Sequence, residues 1–245
     1  MEYYFTKKRN VNLEKSELIV DDFEYKHLVK VLRKNTGDEI TITDGERNVY
    51  NCIIKKIDKS KIICSIEKTS YNLFELSVDL KLYLSPLRNT SRFEFAVEKA
   101  VELGVNSIHP VITEYTVNKN IFSKAKTERL NRIIIGALGQ SQRCLLPKIS
   151  EAVTFKKMIE ETSVDENKIV MYELSDDCTE IKLLDKTKGL LLMIGPEGGF
   201  SDSEIKLLKN NNWQVRSLGK RKIRAETAVI VSVFDIISKL NKNGT

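Results

Sequence analysis

Two short stretches near the C-terminus hold the residue types that could do chemistry. The first is Gly195-Pro196-Glu197-Gly198-Gly199. The second runs from Leu218-Gly219 through Lys220, Arg221, Lys222, Ile223, Arg224, Ala225 and Glu226 to Thr227-Ala228. Glycines let a backbone take positive φ and approach a ligand closely. The first stretch is neither a P-loop nor a dinucleotide fingerprint, because G-x-x-x-x-G-K-[ST] and G-x-G-x-x-G are both absent. It carries a carboxylate, Glu197, where a polyphosphate site would place a cation. That suits a cationic or hydroxyl-bearing ligand; the plain alternative is a structural turn with Glu197 in solvent. In the second stretch Arg216, Lys220, Arg221, Lys222 and Arg224 fall within nine residues with no acid among them. Such a cluster attracts a phosphate backbone, or else is a solvated charged face. Glu226 suits a helix N-terminus on dipole grounds alone, and Arg224 either pairs with it or faces a substrate.

The elements that must position these residues can be read from the apolar pattern. Residues 190–194 form an apolar run without a polar side chain, which predicts a buried strand entering the glycine stretch. Ser201 and Glu204 have capping-box spacing, so a helix is expected from about Asp202. Residues 214–218 read as a strand and 225–240 as a helix, which makes the basic stretch a second strand-to-helix loop. In open α/β sheets ligands bind beyond the carboxyl ends of strands. Upstream, strands are expected at 78–84, 107–113 and 169–173, with helices at 91–103 and 124–138. Alternation of this kind predicts an α/β fold with a largely parallel sheet over residues 73–245. Residues 1–72 read as a small, mainly β domain: Asp44-Gly45 marks a hairpin, strands follow at 49–57 and 61–67, and a helix at 21–33 offers Phe23, Leu28, Val31 and Leu32 as its apolar face.

Composition narrows the classes. The 245 residues are 41% hydrophobic and 30% charged, with a net charge of +6, which fits a globular protein and permits nucleic-acid binding. The first 75 residues hold 14 basic and 13 acidic side chains, so most of the surplus lies further on. No apolar run approaches the roughly 20 residues needed to span a bilayer, and Met1-Glu2-Tyr3-Tyr4-Phe5 lacks a signal-peptide layout, so a cytoplasmic location is expected. Cys52, Cys64, Cys144 and Cys178 show no C-x-x-C spacing, and the two histidines, His27 and His109, form no metal-ligand pattern. Reduced structural thiols and no metal site are expected.

The paired stretches, Gly195-Pro196-Glu197-Gly198-Gly199 and Leu218-Gly219-x-Arg221-x-Ile223-Arg224-x-Glu226-Thr227-Ala228, resemble the signature of SPOUT-class methyltransferases that modify N3 of a uridine in 16S ribosomal RNA. Residues 93–105 are similar to that family's first helix of the α/β domain. Gln140-Ser141-x-Arg143 with Leu146-Pro147, and His27-Leu28-x-x-Val31-Leu32-Arg33 with Gly37-Asp38, resemble further family stretches. The sequence departs from the family at Arg88-Asn89-Thr90-Ser91-Arg92, where only basic character survives. It departs again at Tyr115, where arginine is expected, and at Gly139, where an acid is expected. The resemblance implies a SPOUT fold with a C-terminal trefoil knot and a small N-terminal PUA-like β-barrel that helps hold RNA. It implies S-adenosyl-L-methionine as cofactor, the small ribosomal subunit as partner, and a homodimer. By that reading Ile194, Gly195, Glu197, Gly198, Gly199, Leu218, Gly219, Ile223, Thr227 and Ala228 hold the cofactor. Arg33, Arg88, Arg92, Gln140, Arg143 and Arg221 face RNA. Arg224 and Glu226 face the chemistry: the N3 proton must leave and the resulting charge must be stabilised. N3 lies on the Watson–Crick edge, so the base must be unpaired or flipped out. A SPOUT enzyme acting on a ribose 2′-hydroxyl or a tRNA guanine, and a non-enzymatic ribosome-assembly protein, are the alternatives.

Overall fold

The computed structural model describes residues 2–119, 123–162, 167–175 and 188–241. Cys178 lies outside them. The chain divides into two compact units, one of Met1–Glu75 with Ile135–Leu146 and the other of Leu76–Ile134 with Pro147–Thr245.

The first unit is a mixed, six-stranded half-barrel sheet. Its strands are β1 (Tyr3–Phe5), β2 (Val11–Asn12), β3 (Glu17–Val20), β4 (Glu39–Thr43), β5 (Asn48–Ile57) and β6 (Ile62–Tyr71), arranged β1-β4-β5-β6-β3-β2. β1, parallel to β4, and the β2–β3 pair lie outside the strands expected from the sequence. The core gathers Leu18, Ile40, Ile42, Tyr50, Ile54, Ile62 and the thiols Cys52 and Cys64. Burial pushes the Cys64 thiol up to about 12, so it is an apolar filler and not a nucleophile.

The hairpin at Asp44-Gly45 forms as expected, and the Asp44 carboxylate organises it. It accepts from the Glu46 N–H at 2.9 Å, the Asn48 amide at 2.8 Å, the Tyr50 hydroxyl at 2.9 Å and the Lys8 ammonium at 3.0 Å. Burial alone would raise this carboxyl, but its donors outweigh that and hold it below the usual value.

The helix expected at 21–33 is broken. It is α1 (Asp22–Lys26), followed by a π-helical turn, His27–Val31. The wider turn rotates the later side chains off the 3.6-residue stripe. Of the expected apolar face only Leu28 is buried; Phe23, Val31 and Leu32 are exposed.

The second unit is a parallel sheet. It contains β7 (Leu80–Leu84), α2 (Thr90–Glu102), β8 (Ser107–Ile112), α3 (Lys124–Gln140), β9 (Lys148–Ile149), β10 (Val153–Thr154), α4 (Phe155–Glu161), β11 (Asn167–Met171), β12 (Leu190–Ile194), α5 (Asp202–Asn210), β13 (Gln214–Arg216) and α6 (Ala225–Asn241). The C-terminal end of α3, from Ile135, belongs to the first unit. The strand order is β10-β8-β7-β12-β11-β13, with β9 paired beside β8. β12 is buried along its whole length, as a strand covered on both faces must be. Leu191 and Met193 pack with Phe155, Met158, Ile205 and Leu208 from α4 and α5. Leu190, Leu192 and Ile194 alternate to the other face, where α6 packs on β12 and on α2. Ser201 caps α5 with the reciprocal Glu204 bond that the sequence predicts. Glu204 also accepts from the Glu114 N–H at 2.9 Å, tying the loop after β8 to the start of α5.

His109 is structural: it stacks on Tyr83 at 4.9 Å and meets the Ser107 hydroxyl at 2.8 Å. Among the described residues there is no cluster able to hold a metal ion, and no helix is long and apolar enough to cross a membrane.

Candidate functional site

Three neighbouring parallel strands end side by side. β12 opens into the glycine loop, β11 into Tyr172-Glu173, and β13 into the basic loop. Their exits wall a cavity of about 330 Å³, closed at one side by Ala225 and Ala228 of α6. Ile194, Gly195, Glu197, Gly199, Leu218, Gly219, Ile223 and Ala228 all line it, as do Arg221 and Arg224. The two motif loops therefore meet at one place although nearly twenty residues of chain lie between them.

The glycines have separate reasons to be glycine. A Cβ on Gly195 would stand 2.9 Å from the Phe200 ring, and one on Gly198 would stand 2.9 Å from Tyr115 Cβ. Gly198 thus shapes the loop against Tyr115 and does not line the cavity. Gly199 and Gly219 hold φ of +71° and +105°, a region that side chains disfavour. Thr227 is exposed and also lies outside the cavity wall.

Glu197 is engaged within the protein. Both its carboxylate oxygens accept from the Arg88 backbone N–H, each at 3.1 Å, which pins the glycine loop to the loop before α2. The Arg88 side chain is exposed. Arg224 is exposed and faces the cavity. Glu226, two residues on, is buried and does not line the cavity; Arg92 Nε of α2 stands 3.6 Å from its Oε1. Its other oxygen, Oε2, has no hydrogen-bond partner among the described residues.

Three of the expected RNA-facing residues lie in the first unit. Arg33 is exposed, at a φ of +54°, and Gln140 is exposed at the end of α3. Arg143 corrects the sequence reading. Its side chain is only 4% exposed, and its guanidinium holds Glu75 through Nη2 at 2.7 Å and Nε at 3.2 Å. A phosphate contact does not fit a side chain so committed. Burial would raise the Glu75 carboxyl, but Arg143 and the N–H groups of Leu145 and Cys144 reverse that and lower it.

Sequence reasoning missed the β11 exit. Met171, Tyr172 and Glu173 line the cavity, with Ser217 and Lys222 opposite. The strand itself is visible in the sequence, but its place between β12 and β13 is not.

The model of an RNA methyltransferase domain matches residues 74–236, and that of an RNA methyltransferase PUA domain matches residues 20–67. Among curated relatives, "Ribosomal RNA small subunit methyltransferase E" of Bacillus subtilis is 28% identical over 96% of both chains. The protein of that name from Buchnera aphidicola of Schizaphis graminum is 30% identical, covering 95% of this chain and 92% of its own. Among solved structures, a methyltransferase from Legionella pneumophila in complex with S-adenosylmethionine superposes with a TM-score of 0.82 at 26% identity, over 98% of this chain and 96% of its own. The Neisseria gonorrhoeae ribosomal RNA small subunit methyltransferase E, bound to S-adenosyl methionine, gives 0.87 at 23% identity over 98% of both chains, a match of fold.

Proposed function

The chain belongs to the RNA methyltransferase family, and from that membership we infer that it transfers the methyl group of S-adenosylmethionine to N3 of a uridine in 16S ribosomal RNA. The observation that carries this reading is the convergence of both motif loops on one cavity. The residues suit the cofactor: open space beside Gly219 admits a ligand against the backbone, and carboxylates at Glu173 and Glu197 offer acceptors for hydroxyl or ammonium groups. S-adenosylmethionine supplies the electrophilic methyl group. The protein's part is to hold the uracil ring in line with it and to stabilise the charge left when the N3 proton departs.

Arg224, inside the cavity, is assigned to the uracil oxygens. Glu226 is assigned to the N3 proton; its unpartnered Oε2 supports that role, with the Arg92 guanidinium as an ionic neighbour 3.6 Å from the other oxygen. Arg33, Arg88, Arg92, Gln140 and Arg221 form the RNA-facing set. The exposed Phe23, Val31 and Leu32 beside Lys26, Lys30 and Arg33 support an RNA-holding role for the N-terminal domain. We take residues 1–72 as the PUA-like domain and 73–245 as the methyltransferase domain with its trefoil knot, in a cytoplasmic homodimer. The exposed Phe95 of α2 with Val231 and Phe234 of α6 offers that dimer an apolar face. A monomer in sedimentation equilibrium would sink the dimer.

The test is incubation with labelled S-adenosylmethionine and small ribosomal subunits lacking the modification, followed by nucleoside mass spectrometry. N3-methyluridine is expected. A 2′-O-methyl nucleoside or a methylguanosine would move the chain to another SPOUT activity, and no transfer would favour the assembly-protein reading.

A further inference from the structure

We propose that Glu173 is the residue that reads the ribose of the cofactor, accepting hydrogen bonds from its 2′- and 3′-hydroxyls. This rests on the cofactor reading above. Two acids line the cavity, Glu173 and Glu197. The signature places Glu197 next to the glycines, but its carboxylate is already anchored by the Arg88 N–H, which its two oxygens share. Glu173 is differently placed. Among the described residues no hydrogen bond reaches its carboxylate; its ionic neighbour is Lys222 Nζ, 3.6 Å from Oε1 and beyond hydrogen-bond length. The carboxylate therefore keeps acceptor sites for a ligand.

Topology explains why an acid here can serve both loops. β11 is the middle strand of β12-β11-β13, so its exit lies between the glycine loop and the basic loop. Glu173 stands two residues past Met171, the last residue of that strand. Its Oε1 lies 3.8 Å from where a Cβ on Gly199 would be, so the carboxylate rests against the glycine loop, which has no side chain there. An acid at the end of the parallel strand next to a glycine loop is the arrangement with which doubly wound sheets hold a ribose. A diol presents two donors to the two oxygens of one carboxylate, whereas a lone ammonium gains as much from backbone carbonyls.

The test uses the full-length protein, S-adenosylhomocysteine and its 2′-deoxy and 3′-deoxy forms, and isothermal titration calorimetry. Wild type should bind the parent about tenfold more tightly than at least one deoxy form, the effect of one hydrogen bond to a charged acceptor. Glu173→Gln, which keeps the shape of the side chain, should bind the parent about tenfold more weakly and distinguish the deoxy forms by less than about twofold. Glu173→Asp, shorter by one methylene, provides a second variant should Glu173→Gln fail to fold, and should show the same loss of discrimination. A variant that still discriminates like wild type overturns the assignment. So does a variant whose lost discrimination concerns an analogue without the α-amino group, for then the carboxylate reads the ammonium. Failure of wild type to bind S-adenosylhomocysteine at all would instead remove the cofactor reading, and this assignment with it.

Discussion

Glu197 and Arg224 are both residues of the motif loops, yet the structure gives them different work. Glu197 ties loop to loop through the Arg88 N–H, so its loss should be felt through the glycine loop. Glu197→Ala should weaken cofactor binding several-fold by loosening the glycine loop, and Glu197→Gln, which retains an acceptor, should recover most of it. Calorimetry checks both, and full affinity in the alanine variant would leave Glu197 without a part in the site. Arg224 faces the cavity with no ion pair among the described residues. If it stabilises charge on the uracil, Arg224→Ala should lower turnover by a factor on the order of 10² to 10³ while cofactor affinity changes little. Equal losses in turnover and affinity would make it a cofactor ligand. The departure at Gly139 also has a local cause: a Cβ there would lie 2.3 Å from the Tyr3 carbonyl oxygen, so an acid cannot stand where α3 passes β1.

Elements were the most legible scale of the sequence. The buried run 190–194, the Ser201–Glu204 cap and the alternating strands and helices of the second unit all stand where periodicity puts them. Two things were hidden, both because they depend on who neighbours whom. Strand order is not written in a strand's own residues, so nothing marked Glu173 as lying between the motif loops. The partner of Arg143, Glu75, is 68 residues away, so a buried pair looked like a phosphate contact. The π turn at His27–Val31 hid for another reason: 3.6-residue periodicity assumes an unbroken α-helix. The Arg143–Glu75 pair is the structural hold of this region, since Glu75 also accepts from the Cys144 and Leu145 N–H groups at 2.8 Å each. Arg143→Met should strand a buried carboxylate and cost about 3 to 5 kcal/mol in urea denaturation. A variant as stable as wild type would return Arg143 to the RNA-facing set.

At the scale of the whole molecule, stability should respond to pH through carboxyls shifted in opposite senses. Burial pushes the Glu24 carboxyl from 4.5 up to about 7. The folded state therefore binds this proton more tightly than the unfolded chain. Its contribution is fully present below about 4.5 and is lost as pH rises through about 7. Asp44 and Glu75 are held low, so their contributions are present above the unfolded values and vanish as pH falls through the folded ones. Glu24→Gln should thus be more stable than wild type at pH 8, by up to about 3 kcal/mol, and lose the advantage near pH 4. Chemical denaturation at the two pH values measures the difference, and an equal offset at both would rule out titration of Glu24 as its source.

The strand order β12-β11-β13 also has a consequence in time. The walls of the cavity come from segments that follow one another along the chain as β11, β12, β13 and α6. No two of them can make the cavity without the others. Cofactor capture is therefore a late event in folding, because it waits for the last of the four walls to be in place.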